Sequence, residues 1–139
     1  MLFIGDIHIT TKYTDKIITA IKSYIADFPD EQNLIFLGDY MYMFSYDRKA
    51  LGALFDLFIE LRHEGKNLYI LAGNHDRIGT QFVYAEGKKI SDLLAPLAKN
   101  KLSFITEPEL HMIEGKQLLF FPFNKTLSFE GHSTTQPAK

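Results

Sequence analysis

The sequence contains no cysteine, no excess of positive charge and no long apolar run. Without cysteine, disulfide bonds and thiolate ligands are excluded, so any metal ion must be held by oxygen and nitrogen atoms. The net charge of -2 excludes the basic field of a general nucleic-acid binder. No apolar run reaches the roughly 20 residues needed to cross a bilayer, and no signal peptide follows Met1. We therefore expect a soluble cytoplasmic protein without a membrane partner.

The composition is that of a folded protein with one hydrophobic core. Apolar residues make up 46% of the chain and aromatic residues 14%, including 12 Phe and 7 Tyr, which argues against disorder. A chain of 139 residues has the length of a single domain. We assign residues 1–125 to this domain and residues 126–139 to a flexible polar tail.

Strands and helices are predicted to alternate along the chain. Short apolar runs predict strands at residues 1–5, 34–37, 68–71 and 102–105, then a hairpin of 110–113 and 117–121. Apolar residues at three- and four-residue spacing predict helices at 15–28, 47–63 and 89–99, and Pro96 predicts a kink or an early stop in the last one. This order is typical of an α/β fold with a parallel sheet and right-handed crossovers.

Each of the first three predicted strands ends in side chains that bind metals. The segments are Gly5-Asp6-Ile7-His8, Gly38-Asp39 and Gly73-Asn74-His75-Asp76. On an extended backbone, Asp6 and His8 would point to the same side and close on one cation. Asp39 has two carboxylate oxygens that can bridge two cations, and Asn74 offers a carbonyl oxygen to the second. These ligands suit Mn, Fe, Zn or Co, which the sequence does not distinguish.

Other polar and aromatic residues have structural interpretations that compete with functional ones. His63 lies at a predicted helix end, where a cation satisfies the helix dipole, and a strand histidine such as His111 more often faces solvent or a polar partner than a metal. The aromatic segment 40–46 favours packing over base stacking. Four lysines near the third predicted helix give a local excess of positive charge: Lys88, Lys89, Lys99 and Lys101. This pattern favours a solvated helix face over a site that contacts phosphate.

Asp-x-His, Gly-Asp and Gly-Asn-His-Asp, in this order and each after an apolar strand, resemble the calcineurin-like metallophosphoesterase superfamily. The resemblance covers roughly residues 1–125 and implies a β-sandwich flanked by helices. Within the superfamily, the long helix before the third motif and the later hairpin are similar to the exonuclease branch of DNA double-strand-break repair. The resemblance therefore implies a hydrolase that cleaves a phosphodiester, with DNA as the favoured substrate.

The same resemblance implies roles for the motif residues. Asp6, His8 and Asp39 would hold the first divalent ion, Asp39 and Asn74 the second, and Mn would be favoured. His75 would face the scissile phosphate and stabilise developing charge or protonate the leaving oxygen, with Asp76 orienting the His75 ring. Two alternatives stay open. One is hydrolysis of a phosphomonoester or of a small nucleotide phosphodiester, and the other is a catalytically incomplete binding module.

The family pattern continues with a later histidine and a Gly-His-x-His motif that complete both metal shells. In this chain we find His111 in a hairpin strand and the segment Gly131-His132-Ser133, which has a single histidine. Tyr42 also stands where relatives often have an acidic residue or histidine. We therefore expect the N-terminal portion of such a domain, incomplete at its C-terminal end. Self-association, or a second chain that supplies the missing ligands, would complete it.

Overall fold

A computed structural model of the chain describes residues 1–42 and 45–123. The strands are β1 (Leu2–Ile4), β2 (Asn33–Phe36), β3 (Asn67–Leu71), β4 (Arg77–Ile78), β5 (Gln81–Phe82), β6 (Leu102–Ile105), β7 (Glu109–Ile113) and β8 (Lys116–Phe120). The α-helices are α1 (Thr14–Ala26), α2 (Arg48–His63) and α3 (Ala85–Leu94), and short 3-10 helices span Thr11–Tyr13 and Ala95–Leu97.

Four parallel strands form the central sheet in the order β1-β2-β3-β6. Leu34 of β2 lies between Leu2 of β1 and Leu68 of β3, so the strands begin at the same level. Parallel neighbours need crossover connections, and α1, α2 and α3 lie in the three crossovers. Because all four strands run the same way, their carboxyl ends meet along one edge of the sheet, where ligands bind in such folds.

Both faces of the sheet are covered. On one face, Leu34 and Phe36 are fully buried in a core that α1 and α2 complete, with Phe58 of α2 at its centre. On the other face, Ile35 and Tyr69 pack against the antiparallel hairpin of β7 and β8. Neighbouring strand residues point to opposite faces, which explains the continuous apolar runs in the sequence. The predicted α/β fold, a parallel sheet flanked by helices, is confirmed.

The third helix begins earlier than the sequence predicted. The prediction placed it at residues 89–99, whereas α3 spans Ala85–Leu94 and continues as a 3-10 helix from Ala95. Tyr84 precedes the helix without a side-chain cap hydrogen bond, so the usual start signal is missing from the sequence. Pro96 has no N–H to donate, and the α-helical hydrogen bonding stops just before it.

The start of α2 is fixed by Asp47, as expected for a helix beginning near that residue. Its carboxylate accepts a hydrogen bond from the N–H of Ala50 at 3.0 Å, which caps the helix. The same carboxylate accepts bonds from the main-chain N–H and the hydroxyl of Thr11, at 2.7 and 2.8 Å. Asp47 therefore ties the segment after β1 to α2. No helix in the described part of the chain is long and apolar enough to cross a membrane.

Candidate metal centre

Main-chain hydrogen bonds join the loops after β1 and β2 beyond the ends of the two strands. The N–H of His8 donates to the carbonyl oxygen of Asp39 at 3.0 Å, and the N–H of Ile9 donates to that of Tyr40 at 2.7 Å. Ile9 also forms a parallel bridge with Met41, and both side chains are buried. The apolar residues between the polar ones thus anchor the loops in the core and place the two motifs side by side.

Asp6, His8 and Asp39 lie close together at this edge of the sheet. One ligand atom from each residue falls within 4.8 Å of the other two. Nε2 of His8 is 3.9 Å from Oδ1 of Asp6. Asp6 is exposed while His8 and Asp39 are partly buried, so solvent reaches the group from one side. The structure therefore brings together three of the four predicted metal ligands.

The backbone that achieves this is left-handed at all three residues. The φ angles are +51° at Asp6, +47° at His8 and +57° at Asp39. The predicted extended backbone between Asp6 and His8 is therefore wrong, because tertiary hydrogen bonds impose another conformation. A left-handed conformation costs an L-residue about 1–2 kcal/mol, and such strain collects at functional sites.

Asp76 is buried beneath the loops and binds main-chain amides. Its Oδ2 accepts hydrogen bonds from the N–H groups of Asp39 and Gly73, both at 2.7 Å. Its Oδ1 accepts from Tyr40 at 2.6 Å and from Met41 at 3.2 Å. Burial raises the pKa of the Asp76 carboxyl, and the amide hydrogen bonds act in the opposite direction. These hydrogen bonds position the Asp39 loop, and the orientation of the His75 ring by Asp76 stays a prediction.

Two glycines let the loops after β2 and β3 approach each other. Gly38 has a φ of +105°, and a Cβ added to it would lie 2.7 Å from Cα of Gly73. A Cβ added to Gly73 would lie 2.3 Å from the amide nitrogen of Asp39 and 2.6 Å from Oδ2 of Asp76. Any larger residue at position 73 would therefore displace Asp39 or Asp76, the hydrogen-bonded pair that shapes the site.

His75 lies next to Asp39, with its Nδ1 3.7 Å from Oδ1 of Asp39. The N–H of His75 also donates to that oxygen in a long hydrogen bond of 3.4 Å. Asn74, the fourth predicted ligand, is exposed in the same loop, one residue from Gly73. The structure thus places both residues at the carboxyl edge of β3, and their catalytic and ligand roles stay predictions.

The donor set fits a divalent first-row cation. It combines two carboxylates with one imidazole, which are ligands for Mn, Fe, Zn and Co. Two acidic groups within 4.8 Å of each other repel, and a cation between them removes that repulsion. Three protein ligands leave coordination positions for water or a phosphate oxygen, as catalytic sites require.

The two other histidines of the described residues, His63 and His111, lie apart from this cluster. His111 faces the sheet, where its Nε2 is 2.8 Å from Oε1 of Glu109 and its ring packs edge-on against Tyr69. His63 is exposed at the end of α2. In the aromatic segment, Tyr40 and Met41 are core residues, as the favoured packing interpretation predicted, whereas Tyr42 and Tyr46 are exposed. Met43, Phe44, His132 and the predicted tail lie outside the described residues.

Arg77 is a polar residue near the site that the sequence analysis missed. Its Nε donates to the carbonyl oxygen of Asn74 at 3.4 Å, and its guanidinium lies 5.6 Å from the centre of the Phe123 ring. Its position directly after the third motif was the available signal. The short hairpin of β4 and β5, which begins at Arg77, was also not predicted.

A parallel sheet with an Asp, His and Asp cluster at its carboxyl edge defines an α/β domain with a candidate metal site. The model of the calcineurin-like phosphoesterase family matches residues 1–135, and the chain therefore belongs to this family. A comparison with the curated proteins finds no match. The predicted superfamily is confirmed, and the match supports a metal-dependent phosphoesterase in general, in a family that binds divalent ions.

Proposed function

We propose that the chain hydrolyses phosphodiesters with divalent cations bound at the carboxyl edge of the sheet. One observation carries the proposal: Asp6, His8 and Asp39 present ligand atoms within 4.8 Å of one another in a chain that the phosphoesterase family model matches. Two carboxylates beside a single imidazole suit Mn²⁺, which prefers oxygen ligands, so Mn²⁺ is the first ion to test.

The ligand roles follow from the position of each residue. Asp6 and His8 share the loop after β1 and hold the first ion, while Asp39 stands between that loop and the His75 loop and can bridge to a second. Asn74 is the proposed ligand of the second ion from the β3 side. When bound, such cations lower the pKa of water and neutralise charge on a phosphate.

His75 is the proposed proton donor to the leaving oxygen. Its partial burial and its 3.7 Å separation from Asp39 place its ring beside the ligand cluster, where a phosphate bound between the loops would lie within reach. Asp76 supports this geometry indirectly, because it fixes the main chain of Asp39 and Gly73 on either side of the site.

The substrate is proposed to be a phosphodiester, with DNA favoured by the resemblance to the repair exonuclease branch. The test compares Mn²⁺-dependent turnover of 4-nitrophenyl phosphate, bis(4-nitrophenyl) phosphate and single-stranded DNA. We expect turnover of the diester and the DNA, and little of the monoester. Preference for the monoester would instead support the phosphomonoesterase alternative.

Two substitutions with the same charge change control this assay. Asp39→Asn should abolish turnover, whereas Asp27→Asn should leave it unchanged. Asp27 is exposed at the end of α1, before β2 begins, and so lies at the opposite edge of the sheet. Turnover by Asp39→Asn at the wild-type rate would overturn the assignment of the site.

A second candidate function is that of a module that pairs with itself or with a second chain. The outer face of the β7 and β8 hairpin favours it, because this face carries exposed apolar side chains. They are Leu110, Met112, Leu119 and Phe121, between 57% and 66% exposed. Light scattering across a concentration series tests this alternative: a mass above 16.0 kDa that rises with concentration supports it, and a constant monomer mass removes self-pairing.

A further inference from the structure

A cavity opens beside the candidate metal centre at the carboxyl edge of β3 and β6. Its volume is about 610 Å³, within the roughly 300–1,000 Å³ of small-molecule sites. Gly73 and Asp76 form part of its wall, and the same two residues hold the Asp39 loop. The cavity and the metal centre are therefore built on the two sides of one loop.

Basic side chains from two elements line the cavity. Arg77 comes from β4, and Lys88 and Lys89 come from α3. Hydrogen bonds from Arg77 to the carbonyl oxygens of Asn74 and Gly79, at 3.4 and 3.3 Å, set the guanidinium between the cavity and the predicted ligand Asn74. A guanidinium in this position is suited to a phosphate oxygen, to which it can donate paired hydrogen bonds.

The two lysines are held by ion pairs that a phosphate can replace. Nζ of Lys88 lies 3.0 Å from Oδ2 of Asp92, and Nζ of Lys89 lies 3.2 Å from Oε2 of Glu86. Both acidic partners are more than 60% exposed, and exposed ion pairs contribute little to stability. Lys88 is itself only 30% exposed and lines the cavity.

The wall also contains aromatic and apolar side chains. Phe82 of β5 and Phe123 both line the cavity, together with the methyl groups of Ala72 and Ala85. Phe82 is fixed by ring contacts of 5.8 Å with Tyr84 and 6.4 Å with Phe104. Rigid aromatic side chains of this kind stack with nucleobases of any sequence.

We infer that this cavity binds one nucleotide unit of the substrate, with its phosphate at Arg77 and Lys88 and its base against Phe82 and Phe123. The inference rests on the proposed function, because it names the substrate class of the adjacent metal centre. An aromatic wall alone would accept many ligands, and basic residues alone would accept any anion. Their combination within one cavity selects a molecule that is both aromatic and phosphorylated.

The test measures binding without catalysis, by calorimetric titration of adenosine monophosphate into the protein in EDTA. Adenosine and inorganic phosphate are titrated in parallel. We expect the nucleotide to bind more tightly than either part. Lys88→Gln should weaken nucleotide binding about tenfold or more, because a charge-assisted hydrogen bond is lost. Lys99→Gln, which removes the same charge from outside the cavity, should have no effect.

Asp92→Asn is expected to change nucleotide affinity in the opposite direction. It removes the carboxylate that pairs with Lys88 and repels a phosphate, so nucleotide binding should tighten about twofold to fivefold. Phe82→Leu should weaken binding of the nucleotide and leave binding of inorganic phosphate unchanged. Nucleotide binding no tighter than that of inorganic phosphate, or equal affinity in Lys88→Gln and the wild type, would overturn the inference.

The same titrations separate this inference from the proposed function. Asp39→Asn should keep nucleotide binding in EDTA while losing Mn²⁺, and Lys88→Gln should keep Mn²⁺ while losing the nucleotide. If the wild type does not bind Mn²⁺, the proposed function is contradicted and the cavity assignment stands. If the wild type binds Mn²⁺ but not the nucleotide, only the cavity assignment is contradicted.

Discussion

The carboxylate of Asp76 holds the main chain of Asp39, whose N–H donates to Oδ2 of Asp76 at 2.7 Å. The two residues belong to loops that follow different strands, β2 and β3. The hydrogen bond fixes the predicted bridging ligand relative to the loop that carries His75. Removal of a group that supports a metal ligand in this way commonly weakens metal binding about tenfold or more.

Asp76→Asn is expected to destabilise the protein by about 3 kcal/mol. One carboxylate oxygen becomes an NH₂ group that faces two N–H donors, and each unsatisfied buried donor costs roughly 1–3 kcal/mol. Urea unfolding followed by circular dichroism in EDTA measures the change. Asp39→Asn is the matched control and should change the free energy of unfolding far less, because the hydrogen bond that its carboxylate accepts from His75 is long, at 3.4 Å. Equal stability of Asp76→Asn and the wild type would refute this account of the loop.

Gly73→Ala is expected to weaken Mn²⁺ binding about tenfold or more, since the added methyl group must push against the main chain of Asp39. Isothermal titration with Mn²⁺ measures the affinity. Gly52→Ala in α2 is the control, because its new methyl group meets no atom within 4 Å. It should leave metal affinity unchanged and stabilise the helix by about 0.5–1 kcal/mol. Unchanged affinity in both variants would show that the close approach of the loops is irrelevant to the site.

Asp6→Gly is expected to make the metal-free protein more stable while it weakens metal binding. The left-handed conformation of Asp6, with φ of +51°, costs a residue with a Cβ about 1 kcal/mol that glycine does not incur. Removal of the Asp6 carboxylate also relieves its repulsion with Asp39. Urea unfolding in EDTA and Mn²⁺ titration test the two effects. If Asp6→Gly lowers the stability of the metal-free protein, the backbone at Asp6 is not strained.

Asp47→Ala is expected to cost about 1 kcal/mol at neutral pH, the usual contribution of a helix N-cap. Hydrogen bonds from Ala50 and Thr11 hold the pKa of Asp47 below its ordinary value of 3.8. The ionised carboxylate therefore stabilises the fold above pH 3.8, and this contribution is lost as the pH falls through the lowered pKa. Unfolding free energies of the wild type and variant should approach each other as the pH falls below 3.8 and converge once it is below the lowered pKa. A difference that persists there would mean that the neutral side chain caps equally well.

Most elements of the sheet could be predicted from local patterns. The apolar runs placed β1, β2, β3 and β6 within one or two residues, because strands buried on both faces leave a continuous signal. The ends of α2 were also predictable from local sequence, because Asp47 is a typical N-cap residue and Gly65 follows the last turn. The hairpin of β4 and β5 left no such signal, since each strand has only two residues and no periodicity can appear.

The composition of the candidate site was predictable, but its geometry was not. Strand ends with Asp, His and Asn pointed to the same edge of the sheet. The left-handed backbone at Asp6 and His8 depends on hydrogen bonds to the Asp39 and Tyr40 loop, which local sequence does not encode. The role of Asp76 depends in the same way on amides of distant residues.

The most direct test of the central claim is Mn²⁺ titration of the purified chain, with Asp39→Asn and Asp27→Asn measured beside it. The account predicts that the wild type and Asp27→Asn bind Mn²⁺ at micromolar affinity or better, and that Asp39→Asn loses it. Two bound equivalents would support the full set of ligands with Asn74, and one would support Asp6, His8 and Asp39 alone. Equal Mn²⁺ binding by all three proteins, or no binding by the wild type, would contradict the assignment of a metal centre to this edge of the sheet.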